Sequence, residues 1–467
     1  MSMNFERVGL DKSLVQWIET TTAAQVTGAQ KQGRGRPAWF IDTQSASGLK
    51  RLYLRGDRGI EKGINRHYPL SREAKLIIAL GRHGIPVPGT YGYNVEHRTL
   101  LQDFVDGGVH FHHIADEEER NRTGDDFMRV LARLHKLTPS DLALPPDEFW
   151  VPSTATEHAL HDLELWERTH FETIEEPEPF MRFAQRWLKT HVPDHVLGTV
   201  IVQGDTGPGQ FIYRDGKVAA IVDWEYAHWG CPMEDLAEIR QRALLHPFGD
   251  MVARFRVYEQ ESGIPLDFDL IRYYTVRGLV NTPLALIGPE LTHPKSHADI
   301  AERLAWNAMY LRVTAESLAE AIGIDLSEET VALPPVDAGN RLSRLYDVVR
   351  DDLLDEHLPR IEGAYEQHRM RSTIYLFEHL RQLSRIGEFL DNQELDDMAT
   401  LLGYRPSSIS EGNFKLDQLV QQVGPDHDAV LIRYFYRNSR RQELALGEAA
   451  LSQGDMGKTA SLQPLRV

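Results

Sequence analysis

The stretch VIVQGDTGPGQFIYRDGKVAAIVDWEYAHWGCPMEDLA, residues 200–237, decides the fold. Thr199 to Val202 and Val218 to Val222 are short apolar runs rich in β-branched residues, the pattern of buried strands. Phe211-Ile212-Tyr213 is a third run, and Asp215-Gly216 ahead of Val218 signals a hairpin. Asp205 and Asp223 each stand just beyond one of these runs. A carboxylate at the mouth of a buried strand is costly unless a metal, a cation or a substrate hydroxyl receives it. Two of them brought together by a hairpin predict an acidic pocket floor.

The spacing narrows the chemistry. Gln210 follows Asp205 by five residues and offers a neutral amide oxygen, and Asp223 opens Asp-Trp-Glu on the next strand. One carboxylate to receive a proton from a hydroxyl, with an amide and a second carboxylate to hold Mg²⁺ against phosphates, is the division of labour of phosphoryl transfer. On these residues the stretch resembles the aminoglycoside/choline-kinase superfamily, whose loop reads His-Gly-Asp-x-x-x-x-Asn and whose metal strand reads Asp-Trp-Glu or similar. The run Gly230-Cys231-Pro232-Met233-Glu234-Asp235-Leu236-Ala237 is similar to that family's Gly-Asp-Pro-x-x-Asp-Leu-Ala. Two positions depart from the pattern: Gln203 stands for the His and Gln210 for the metal-binding Asn. Gln203 keeps both a donor and an acceptor. In Gln210 the extra methylene moves the oxygen by roughly an ångström, which Thr206-Gly207-Pro208-Gly209 would have to absorb.

Composition bounds the alternatives. A chain of 467 residues, 42% hydrophobic and 26% charged, has globular composition and length for two or three domains. A net charge of −18 argues against nucleic acid or an anionic membrane as the main partner. The single cysteine, Cys231, excludes an internal disulfide and multi-cysteine metal sites. With neither a signal-peptide pattern at Met1 to Leu10 nor a membrane-length apolar run, a soluble, cytoplasmic protein is expected.

Upstream, Leu10 to Thr22 reads as a short helix. The glycine-rich, basic segment Val26 to Arg36, which contains Gly28 and Gly33, reads either as a surface loop or, as the resemblance implies, as the hairpin covering nucleotide phosphates. The strand Leu49 to Arg55 ends in Leu-Arg, as in the branch related to kinase-like domains fused to acyl-CoA dehydrogenases. The resemblance implies that Arg55, rather than Lys50, holds the α- and β-phosphates and that Glu73 pairs with it. Ser71 is the expected N-cap of the helix carrying Glu73. Thr99 to Gly107 reads as the last strand of the N-lobe and the hinge, where main-chain groups near Asp103 to Val105 would meet the adenine edge. His110, His112 and His113 lack the helical spacing of a zinc pair and read as a polar loop rather than a metal site. Trp150, Trp166, Phe171, Phe180, Phe183 and Trp187 are either core or the lining of an acceptor pocket.

Leu333-Pro334-Pro335 reads as a linker. Beyond it, Arg341 to Ala364, Thr373 to Phe389, Leu395 to Leu402, Phe414 to Val423 and His427 to Arg441 are expected as helices. This segment resembles a small helical family of unknown function found beside kinases of this type.

The expected architecture is α+β, a protein-kinase-like bilobal phosphotransferase fold followed by an all-α domain. Its divisions are 1–106 for the nucleotide-binding lobe, 107–332 for the catalytic and acceptor lobe, 336–452 for a helical accessory domain, and 453–467 for a disordered tail. The resemblance implies Asp205 as the base, with Gln210, Asp223 and Glu225 around Mg²⁺. It further implies Arg55, Glu73, Gly28, Gly33, Asp103 and Val105 around ATP, with the choice of ATP or GTP open. Asp235 is expected to brace the loop. The acceptor expected is a small-molecule hydroxyl, a hydroxyacyl-CoA ahead of an aminoglycoside, with a non-catalytic nucleotide-binding scaffold as the alternative. A homo-oligomer formed through the C-terminal helices is a further expectation.

Overall fold

A computed structural model describes residues 5–32, 37–57, 68–161, 163–171, 174, 176–282, 300–334, 343–447 and 461–465. Gly33, Pro335 and residues 453–460 of the expected tail lie outside these. The chain forms two compact units: Met1–His158 with Asp194–Ile271 and Leu465–Val467, and Ala159–Pro193 with Arg272–Pro464. Among the described residues no helix is long and apolar enough to cross a membrane.

The first unit opens with an antiparallel five-stranded sheet, β1 (Gln25–Lys31), β2 (Ala38–Ser45), β3 (Gly48–Gly56), β4 (Thr90–Asn94) and β5 (Thr99–Asp103), in the order β1-β2-β3-β5-β4. Side chains alternate between the faces of a strand, so register sorts them by role. Trp39 pairs with Leu54 and Leu54 with Leu101. That row packs with Ile41 and Leu52 against Leu10, Leu14 and Ile18, the last two from the helix Lys12–Thr22. Phe40, Tyr53 and Gln102 form the row on the opposite face, and Arg55 shares their parity. Lys50 has the parity of Leu52 and Leu54, and its ammonium lies 2.7 Å from the Asp103 carboxylate.

The helix Leu70–Arg82 starts at Pro69, not at Ser71. Pro69 fixes its own φ and ends the extended chain, and the Arg72 N–H donates to its carbonyl at 3.0 Å. Ser71 is therefore inside the first turn and no side chain caps the helix. Farther along come two ribbons: β6 (Val200–Val202) with β9 (His228–Gly230), and the hairpin β7 (Phe211–Arg214) with β8 (Lys217–Ile221). Asp215 and Gly216, both at positive φ, turn that hairpin as Asp-Gly predicts.

The second unit is helical. The expected pair Thr373–Phe389 and Leu395–Leu402 is one helix, Ala364–Leu402, because no glycine or proline interrupts the turns between them. The expected Arg341–Ala364 helix instead ends early: Ser343–Asp351 loosens into wider turns ahead of Pro359 and Gly363. Helix Pro179–Thr190 is tied to the C-terminal helices by Arg182 on Asp417 at 2.5 Å and by Arg186 on Asp428. Phe180 stacks on Phe435 with centroids 4.6 Å apart. Among the described side chains of the aromatic stripe, Trp166, Phe180, Phe183 and Trp187 are buried in the core and Trp150 is exposed; that of Phe171 lies outside them.

Leu54 is fully buried between sheet and helix. Leu54→Ala should lower unfolding stability by about 2–5 kcal/mol through lost burial and a residual cavity, read from denaturant midpoints. A loss under about 1 kcal/mol would show that this face collapses freely around the gap.

Candidate active site

Asp205 lies in the loop after β6, and its placement starts underneath. The Asp235 carboxylate, fully buried in the first turn of the helix Pro232–Leu245, accepts from the Gln203 N–H at 3.0 Å and the Gly204 N–H at 3.2 Å. It also accepts from the Thr206 hydroxyl, and His135 Nε2 stands 3.0 Å away. The other ring nitrogen of His135 is 2.7 Å from the Tyr258 hydroxyl. These contacts pin both sides of Asp205. The loop could not be built with larger residues at two points. A Cβ on Gly204, at φ +83, would lie 2.5 Å from the Tyr226 carbonyl oxygen; one on Gly209, at φ +93, would lie 2.6 Å from the Arg242 guanidinium.

Gln203 works in both directions. Its amide N–H groups donate to the carbonyls of Val222 at 3.1 Å and Asp223 at 2.8 Å, and its oxygen accepts from the Asp205 N–H at 3.1 Å. One side chain therefore locks the Asp205 loop to the end of β8. Asp223 is held at φ 62, a left-handed conformation rare outside glycine. The bond from Gln203 fixes one side of it, and the Trp224 N–H donating to Glu73 at 3.1 Å fixes the other.

The Asp205 carboxylate accepts from the Gln210 amide, and the Arg242 guanidinium lies 3.3 Å from it. Burial raises the carboxyl's pKa and the neighbouring Asp223 adds to the rise, while Arg242 opposes both. Arg55 bridges Glu73, at 2.5 Å, and Asp223. Burial disfavours its charge, but Glu73, Asp223 and Glu225 outweigh that and hold the guanidinium protonated.

Arg55, Gln210 and Asp223 line one cavity of about 450 Å³, together with Gln102, Asp103 and Val105. The structure therefore gathers five of the predicted site residues onto one wall system. Glu73 stands behind Arg55 as its partner. Glu225 is buried and bears on Arg55 through its charge, without lining the cavity among the described residues. Gly28 sits at an irregularity in the β1–β2 pairing against Asp42, away from the cavity lining.

Sequence reading missed the contact between Arg242 and Asp205. The signal was present: Arg242 is seven residues beyond Asp235, hence on the same face of one helix. Arg240 and Arg277, cations farther along the chain, are both buried. His246 also went unread. It stacks on His112 with centroids 5.2 Å apart, beside His110 and His113, and a Cβ on Gly209 would come within 3.1 Å of its ring. Burial, then Arg242 and the other imidazoles, push its pKa down to about 3.

Residues 49–260 match the Phosphotransferase enzyme family. Acyl-CoA dehydrogenase family member 11 of Rattus norvegicus is 25% identical over 405 residues, covering 80% of this chain and 49% of that protein. The Mus musculus protein of the same name is 24% identical over 263 residues, covering 53% and 32%. The chain thus spans half or less of the length of these relatives. Among solved structures, a choline kinase from Streptococcus pneumoniae is 18% identical, covering 66% of this chain and 99% of its own, at a TM-score of 0.48. A macrolide 2'-phosphotransferase from Brachybacterium faecium is 16% identical, covering 62% and 100%, at a TM-score of 0.44.

Asp235→Asn replaces an acceptor by a group that donates on one side, leaving buried loop N–H groups unpaired. The expected loss is about 1–3 kcal/mol of stability, with faster amide exchange at Gln203 and Gly204. Unchanged exchange there would show that the loop is held by other contacts.

Proposed function

We propose that the phosphotransferase domain at residues 49–260 transfers a phosphoryl group from ATP to a hydroxyl of a small molecule. The observation that carries this is the meeting of Asp205, Gln210, Asp223 and Arg55: Gln210 bonds Asp205 and lines the same cavity as Asp223 and Arg55. Asp205 accepts the proton of the acceptor hydroxyl as its oxygen attacks phosphorus. Arg242 opposes the rise in that carboxyl's pKa caused by burial. Arg55, set by Glu73, holds donor phosphates, and the main chain at Asp103 to Val105 faces the base.

Asp223 and Gln210 suit magnesium in donor type, since both offer hard oxygens on the cavity wall. Mg²⁺ usually takes one or two protein ligands and fills its shell with water and phosphate oxygens. Without it, Asp223 is engaged by Arg55 and Gln210 by Asp205. When bound, the ion supplies charge neutralisation for the phosphates.

The acceptor we favour is a hydroxyacyl-CoA. The guanidinium of Arg242 beside Asp205 suits an acceptor with an anionic group, set against the Asp223 and Glu238 carboxyls that also bear on Asp205. The printed name of the curated relatives, acyl-CoA dehydrogenase family member 11, points to the same substrate class. The aromatic insertion no longer supports an acyl channel, because its rings are used in packing. The test is ATP consumption against hydroxyacyl-CoAs, free hydroxy acids and aminoglycosides, with mass analysis for an added phosphate.

Asp205→Asn should leave nucleotide affinity intact and cut turnover by about 10²-fold or more; near-normal turnover would remove the assignment. Arg242→Met gives a signed test in pH. The reaction needs the carboxylate, so activity falls as pH drops through the Asp205 pKa. Arg242 lowers that pKa, so its loss must move the acid limb of kcat/KM to higher pH. A limb that stays in place, or moves down, would refute this role.

A further inference from the structure

The helical unit contains a second cavity, of about 250 Å³, which owes nothing to the phosphotransferase reading. Helices Pro179–Thr190, Ile300–Ile322, Ala364–Leu402, Ile409–Gln422 and Asp428–Leu446 all contribute to its wall. One part is aromatic: the Phe180–Phe435 stack, with Tyr434 edge-on to Phe435 at 5.1 Å. Opposite chemistry comes from the Glu394 carboxylate and the side-chain amides of Asn307 and Asn413.

These polar groups are poorly used by the protein itself. Among the described residues Glu394 accepts a single hydrogen bond, from the Tyr434 hydroxyl at 3.4 Å, and neither the Asn307 nor the Asn413 amide makes one. The other polar lining is already engaged: Gln442 donates to Asn438 at 2.9 Å, and Glu178 lies 2.9 Å from His170. Among the described residues, no lysine, arginine or histidine lines the cavity. A partly buried carboxylate that forms no ion pair among the described residues is a costly feature in a helical core, and the two part-exposed amides are available to a ligand.

We propose that this cavity binds a small organic cation, a primary ammonium on an aryl or alkyl body, with Glu394 meeting the charge and the Phe180–Phe435 pair meeting the body. Amide oxygens of Asn307 and Asn413 complete the N–H bonding, and the π faces add attraction for the cation. The space suits roughly eight water-sized groups, at about 30 Å³ each. An anion is disfavoured because nothing positive lines the site, and a neutral body would leave the carboxylate uncompensated.

The titration of Glu394 gives the site a signature. Burial raises its pKa to about 7; Arg441 opposes the rise, while Asp391 and Asp397 add to it, and Tyr434 and Glu178 are the remaining titratable groups on the cavity. A cation favours the ionised form, so binding near pH 7 should release about half a proton and weaken as pH falls below 6.

The test is calorimetry on the full chain with 2-phenylethylammonium and its neutral isostere 2-phenylethanol, in buffers of different ionisation enthalpy. The ammonium should bind at least tenfold more tightly than the alcohol and release a proton fraction. Glu394→Gln should weaken the ammonium tenfold or more and abolish the proton release. Asn413→Leu, on a different helix, should weaken it with the proton release of the remaining binding intact. Melting curves identify any variant that fails to fold, and the other variant then decides. No binding at 10 mM ammonium, on the order of ten-thousandfold above a micromolar Kd, overturns the proposal. Equal binding of amine and alcohol, or undiminished binding in both folded variants, does the same.

Discussion

The fully buried carboxylate of Asp235 is the constraint on which the rest of the site depends. Such a group is tolerable only when donors surround it. Two backbone N–H groups, the Thr206 hydroxyl and His135 do so. All of these except His135 come from the loop that carries Asp205. Satisfying one buried carboxylate therefore fixes the backbone around another, and the candidate carboxylate of Asp205 takes its position from a group outside the cavity lining.

A second chain of charge runs from sheet to helix to ribbon. Arg55 comes from β3, Glu73 from the helix Leu70–Arg82, and Asp223 from the end of β8. Each element would carry an isolated buried charge without the others. Together they hold the left-handed Asp223 in a conformation that a non-glycine residue does not choose unaided. A network of this kind places its cation before any ligand arrives, which the proposed hold on donor phosphates requires.

Some of this was legible from local pattern. The strand expected at Leu49 to Arg55 is β3, and its fixed period of two puts Leu52 and Leu54 on one face and Arg55 on the other. Asp-Gly at 215–216 specified the hairpin through its tolerance of positive φ. The helix ends were less legible. Ser71 had the chemistry of a cap but Pro69 set the start, and the run from Ala364 to Leu402 carried no stop signal at Leu390 to Glu394, where an end was expected. Helix periodicity shows that turns continue; it does not show where tertiary contacts let them stop.

The sequence by itself determined the strand runs, the acidic residues at their ends and the phosphotransferase-like spacing between them. Those are local properties, written within a few residues by side-chain type and period. Tertiary structure alone decided that Arg242 sits on Asp205, that Arg55 reaches Asp223 across 168 positions, and that Phe180 stacks on Phe435. The reason is desolvation. A buried charge or ring takes whichever complementary partner packing brings within contact, and that choice depends on every element around it rather than on the residues beside it in the chain.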